Sequence, residues 1–243
     1  MTQAQLKSGA LIEELTPSLI KGELLINEMD VRRIIREAKR IPERYQGLSI
    51  EGLARITLGQ IEDGCELCER ALSLAPNDPV SLCNYTIALR NKGLHLKQNE
   101  LLAAAVNSRN PKILYDIVAN ATYWADIRTL NRALPMLIAM NLPSSVDLHE
   151  GLDTIKYYEK HEWRVDDMTS IGKLMMAISD KHRLRLAASQ MLDINSELNA
   201  LVIEVKTEDP VFISMLNDEL TNEILAAGLA NSECVGYFEA GDF

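Results

Sequence analysis

The sequence predicts a mainly α-helical protein: an array of antiparallel helix pairs followed by a small C-terminal α/β module. Three observations predict it. Across residues 45–111 small residues and closing prolines recur in two matching blocks, Gly52, Ala54, Gly59, Gly64, Ala71 and Pro76 in the first, Ala88, Gly93, Ala105 and Pro111 in the second. Small side chains let two helices touch, and a proline closes a unit because it cannot continue a helix. Apolar residues outside these blocks keep helical spacing as far as residue 189, and beyond residue 190 the period shortens to two while the charge balance changes. The expected division is a helical domain over 1–189 and a module over 190–243.

Taken in order, residues 2–15 read as a helix broken by Thr16-Pro17. Asp30 is placed to cap a second helix over 30–41, in which Val31, Ile34, Ile35, Ala38 and Ile41 form an apolar stripe and Arg32, Arg36, Lys39 and Arg40 a basic back. The two blocks follow as repeats over 45–78 and 79–111, and a looser pair spans 112–143, with helices over 112–124 and 127–140. Two more amphipathic helices are expected over 146–160 and 167–181, where Tyr157, Tyr158 and Trp163 lie near the junction and Leu174, Met175, Met176 and Ile178 read as core. The module then reads as a helix near 184–194, a strand in which Leu201, Ile203 and Val205 alternate with Val202, Glu204 and Lys206, a helix from Asp209-Pro210 to Gly228, and a short strand over 234–239. The alternation predicts a half-buried strand. Two strands alone are marginally stable, so the module is expected to pack tightly on helices or to pair its open edge, giving a homodimer or binding a partner strand.

The stretch Gly59 to Pro79, GQIEDGCELCERALSLAPNDP, resembles the second helix and exit turn of a tetratricopeptide repeat, and residues 45–111 as a whole resemble two units of that superfamily. The resemblance implies a right-handed superhelix of helix pairs whose first helices line a concave, partner-binding side. Carried over by position, the inward-facing residues are Gln46, Ser49, Leu53, Ile56 and Thr57, then Val80, Cys83, Asn84, Ile87, Arg90 and Asn91, then Asp116, Asn120, Tyr123 and Trp124. Some members grip a chain-terminal carboxylate with a Lys/Asn pair; the matching positions here are Ser49 and Leu53, which implies an internal segment or a folded partner instead. Glu51 stands where the repeats carry an apolar residue.

Composition narrows the function classes. No apolar run approaches the roughly 20 residues of a membrane span, the N-terminus does not read as a secretion signal, and four cysteines are too few for a disulfide framework. A cytoplasmic protein is expected. From residue 190 onward eleven acids face one base, Lys206, which accounts for the whole net charge of −10. Phosphate would be repelled there, so the expected partner is a protein or peptide and not nucleic acid; the alternative is an acidic regulator that neutralises a basic target. Catalytic patterns are missing from the sequence: Cys65-x-x-Cys68 has no second pair, and His95, His149, His161 and His182 stand singly. The reading is therefore a non-catalytic scaffold or adaptor with no cofactor and no metal.

Overall fold

The structure, a computed structural model, describes residues 3–76, 78–141, 146–194 and 198–241. Of the sequence expectations, those for Thr2, for residues 142–143, for Glu197 and Asp242, and for the side chain of Trp163 lie outside the described residues. Among the described residues, eleven α-helices and three strands make the protein mainly helical with one small sheet. The chain falls into two compact units, Met1–Lys92 and Gly93–Phe243. That division lies inside the second expected repeat, whereas charge and period had placed it at 189/190.

The first unit holds α1 (Gln3–Lys21), α2 (Glu28–Ala38), α3 (Arg44–Thr57), α4 (Ile61–Leu74) and α5 (Pro79–Asn91), with α3 at the centre touching the other four. Helix α1 does not break at Thr16-Pro17 as expected; it runs on to Lys21 with Pro17 inside. An interior proline costs about 3 kcal/mol, but Leu11, Leu15 and Leu19 are buried on both sides of it. Their packing outweighs the lost hydrogen bond. Helix α2 is capped by Asn27, whose Oδ1 accepts from the Met29 amide at 2.8 Å, and not by Asp30, which lies in the first turn. Its expected stripe holds, with Val31, Ile34 and Ala38 buried and Ile41 buried in the turn beyond.

Helices α3 and α4 meet through two glycines. A methyl group on Gly52 would lie 2.7 Å from the Gly64 carbonyl oxygen and 2.5 Å from Cys68 Sγ, and one on Gly64 would lie 2.6 Å from the Gly52 oxygen. The small residues of the first block are thus a helix contact. Gly59, at φ 82°, makes the turn between them in a conformation that side chains disfavour. Glu51 is tolerated on buried α3 because Arg55 donates to it at 2.9 and 3.0 Å and Lys39 Nζ lies 3.4 Å away. Helix α5 starts at Pro79 behind Asp78, which accepts from the Ser81 amide at 2.8 Å.

The second unit holds α6 (His95–Ala104), α7 (Pro111–Tyr123), α8 (Ile127–Ile138), α9 (Val146–Glu159), a 3-10 turn at Glu162–Arg164, α10 (Val165–Lys181), β1 (Leu186–Ile194), β2 (Leu198–Lys206), α11 (Pro210–Ala226) and β3 (Cys234–Gly241). Helices α7 and α8 pack as a pair, with α9 against both. The sheet runs β1-β2-β3, antiparallel between β1 and β2 and parallel between β2 and β3, with α11 as the crossover. Residues 186–194 form a strand where the sequence suggested a helix. Leu, Ala, Gln and Met in this stretch favour a helix locally, but pairing along β2, with Met191 opposite Leu201 and Ser189 opposite Ile203, decides the matter. Strand β2 is also more deeply buried than expected, because it is central: Ala200 to Ile203 and Val205 are all inaccessible on both faces.

The core of this unit forms where Leu201, Ile203 and Val205 of β2 meet Met168, Ile171 and Met175 of α10, Leu216 and Leu220 of α11, and Phe238. Met175, Met176 and Ile178 are core as expected, and Leu174 packs at its margin. Between α10 and α11, His182 Nε2 lies 2.8 Å from Glu219 Oε2, and Lys181 Nζ donates to Oε1 at 2.9 Å. Burial pushes the Glu219 carboxyl up, but these two hydrogen bonds outweigh it and the carboxyl sits below its ordinary value. A depressed value means that the stabilisation is complete above the unfolded-chain pKa of about 4.3 and is lost as pH falls through the lower folded value. Glu219→Gln is therefore expected to melt below the wild type at neutral pH, with the two melting temperatures converging on acidification. A gap that stays constant with pH would refute this.

Candidate interaction surface

The expected partner-binding residues fall in both units. In the first, the structure places Ser49, Leu53, Ile56, Thr57 and Cys83 in the interior. Helix α1 packs against both α3 and α5, the two helices expected to line a concave side. Gln46 is half-buried and bonds Tyr45 Oη at 3.1 Å. The residues that reach solvent lie together on α5: Val80 and Arg90 are exposed, and Asn84, Ile87 and Asn91 are half-buried. In the second unit, Trp124 is core and stacks edge-on with His95 and Tyr123 at 5.4 and 5.1 Å. Asn120 is buried and donates to Asn99 at 2.9 Å, Tyr123 donates to the Ala188 carbonyl at 2.9 Å, and Asp116 is half-buried.

The α5 residues continue into a feature that the sequence reading missed. Asn91 Nδ2 donates to the Leu19 carbonyl at 2.9 Å and Lys92 Nζ to the Gly22 carbonyl at 2.8 Å, tying the end of α1 to the end of α5 that carries Arg90. The segment held in this way exposes large apolar groups, Ile20 by 59%, Leu24 by 44%, Leu25 by 52% and Met29 by 65%. Isolated exposed leucines need no explanation, but four such groups within ten residues make the segment a candidate contact surface. The available signal was an apolar run, LIKGELLINEM, lacking the single stripe of a buried helix.

The first unit also carries several arginines. Arg33 donates to Glu14 and Glu37, which hold its guanidinium firmly charged, and Arg33, with Lys7, in turn holds the Glu37 carboxyl below its ordinary value. Arg32 bonds Glu28 at 3.0 Å through Nε. Arg36, Arg40, Arg44 and Arg90 are exposed and have no acidic partner among the described residues. The basic back expected of α2 is therefore half neutralised by its own chain and half open.

The second unit contains a buried polar group of a different kind. Arg164, at the turn before α10, donates to Glu233 at 3.0 and 2.7 Å and to Tyr157 Oη at 3.2 Å, and Tyr157 donates in turn to Asn199 Oδ1. Arg164, Tyr157 and Glu233 each have a partner within this network, while Nδ2 of buried Asn199 has none among the described residues. A hollow of about 200 Å³ lined by Leu174, Ala177, Ile178, Lys181, Glu219 and Glu223 is smaller than the pockets that take small molecules, roughly 300–1,000 Å³. Cys65 and Cys68 are buried, and the Cys68 thiol faces the Ser49 carbonyl at 3.8 Å. Among the described residues no three His, Cys, Asp or Glu side chains gather as metal donors, and no helix is long and apolar enough to cross a membrane.

Among the acids beyond residue 190, Glu219 holds His182 and Lys181, Glu233 holds Arg164, and Asp209 caps α11 by accepting from the Val211 and Phe212 amides. Comparison with protein-family models, with curated proteins and with solved structures finds no match to this chain.

Proposed function

We propose that the protein is a non-catalytic interaction module that binds a protein segment carrying apolar and acidic side chains, through the first unit. The observation that carries this reading is the exposed apolar segment Ile20, Leu24, Leu25 and Met29, tied to the end of α5 that carries Arg90, in a unit where Arg36, Arg40, Arg44 and Arg90 are exposed without acidic partners among the described residues. An apolar centre with a charged rim is the anatomy of a protein interface, and its charge selects the partner and speeds the encounter. The glycine-mediated α3–α4 pair and the likeness of residues 45–111 to tetratricopeptide repeats support a helical scaffold. In this form of the reading, Asn84, Ile87 and Arg90 of α5 contribute, and α1 belongs to the scaffold.

Affinity capture from native cell extract tests the reading when wild type is run beside Leu25→Asp/Arg90→Glu and beside Asp218→Lys/Glu223→Lys. The first double variant is expected to lose the partner and the second to retain it, with folding of each checked by circular dichroism. Loss confined to the second variant, with a basic protein captured by wild type, would replace this reading with the acidic regulator.

A further inference from the structure

The two edges of the small sheet are treated differently. Along β3, the Asn217 side chain imitates a neighbouring strand: its Nδ2 donates to the Phe238 carbonyl at 2.9 Å and its Oδ1 accepts from the Phe238 amide at 2.8 Å. Among the described residues strand β1 pairs with β2 alone, and its outer side is touched near its start by the Tyr123 hydroxyl at Ala188. Of the devices that keep an edge strand single, the rest, Gln190 to Ile194, carries the charge of Asp193 alone, and the irregularity of β1 lies earlier, between Leu186 and Ser189. Its nine residues, LAASQMLDI, contain one charge, Asp193, and no proline or lysine. On the face turned away from α10, Leu192 is exposed by 36% and Ile194 by 40%, beside half-buried Leu198, Val235 and Tyr237.

We infer that β1 is a homodimer interface: the β1 edges of two copies pair antiparallel about a two-fold axis, joining two three-stranded sheets into one of six. An antiparallel pair of identical strands is self-complementary, since each copy offers the other the same row of amides and carbonyls. Strand β1 is also nearly free of the acidity that would set two chains of net charge −10 against each other. On the opposite edge Asn217 occupies the outward amide and carbonyl of Phe238, which opposes growth as a stack of strands. This inference does not depend on the interaction surface of the first unit.

The test is the mass of the full chain in solution across a wide dilution series, by light scattering after size exclusion or by sedimentation. The expected mass is twice 27.2 kDa at high concentration, falling to 27.2 kDa on dilution. Salt is expected to tighten the dimer by screening the repulsion between two acidic chains. Leu192→Lys is expected to be monomeric at every concentration with unchanged circular dichroism. Asp193→Pro, which removes an amide on the open side of β1, serves as the second variant should the first misfold. A wild type of 27.2 kDa throughout overturns the inference, as does a folded Leu192→Lys that dimerises like wild type. A monomer that captures an extended peptide along β1 also overturns it, in favour of a foreign strand.

Discussion

Gly52→Val is expected to destabilise the first unit by about 3 kcal/mol, the upper end of the cost of overfilling a packed interior, and to lower its melting temperature by roughly 15 °C. The magnitude follows from what the new side chain meets. Its first carbon would lie 2.7 Å from the Gly64 carbonyl oxygen, which is backbone and cannot rotate away, and 2.5 Å from the buried Cys68 sulfur. Helices α3 and α4 must separate, and α3 also carries the contacts to α1, α2 and α5. Gly64→Val is expected to cost about the same for the reciprocal reason. The double variant should cost less than the two singles together, because helices already forced apart have room for the second side chain. Gly9→Ala in α1 is the control: a methyl there meets nothing within 4 Å, so the change should gain up to about 1 kcal/mol from helix propensity. Thermal melts decide, and wild-type melting in Gly52→Val would show that the close approach is unimportant.

The second large effect is expected at Arg164. Its side chain is 4% exposed while its partner Glu233 is 56% exposed, so the anion, not the cation, is the half that water can reach. Burial works against the charge on Arg164, and the bonds to Glu233 and Tyr157 more than restore it. Glu233→Ala strips the principal anion from a buried cation. Breaking a fully buried pair costs about 3–5 kcal/mol; with one partner half in water, about 2 kcal/mol is expected. Arg164→Met removes the charge and keeps the volume, so Arg164→Met/Glu233→Ala should be more stable than Glu233→Ala alone. Denaturant titration of the three proteins tests that order. If adding Arg164→Met deepens the loss, the guanidinium is stabilising by packing and not by charge pairing.

These two sites were legible to different degrees. Gly52 and Gly64 stood out because a helix contact demands small residues at fixed intervals, a requirement written into single positions. Arg164 and Glu233 are 69 residues apart and meet only because β3 starts beside the turn that leads into α10. The helices of the third pair, α9 and α10 were legible from apolar spacing alone, as were strands β2 and β3 and the Asp209 cap. Residues 186–194 were not, since their strand state is imposed by a partner strand. The solvent-facing residues of α5 were foreseen, whereas Ser49, Leu53 and Trp124 could not be told from surface residues before their neighbours were known.

Taken alone, the sequence determined that this protein is mainly helical, where most helices begin and end, that small residues join α3 to α4, and that its charge is concentrated beyond residue 190. Those properties follow from local sterics, capping and apolar period, which depend on residues a few positions apart. Tertiary structure decided that Pro17 lies within a helix, that β1 is a strand, that the chain divides at Lys92 and that the apolar segment after α1 faces water beside Arg90. Each of these is settled by contacts between residues distant in sequence, whose packing and pairing energies exceed the local preferences that the sequence displays.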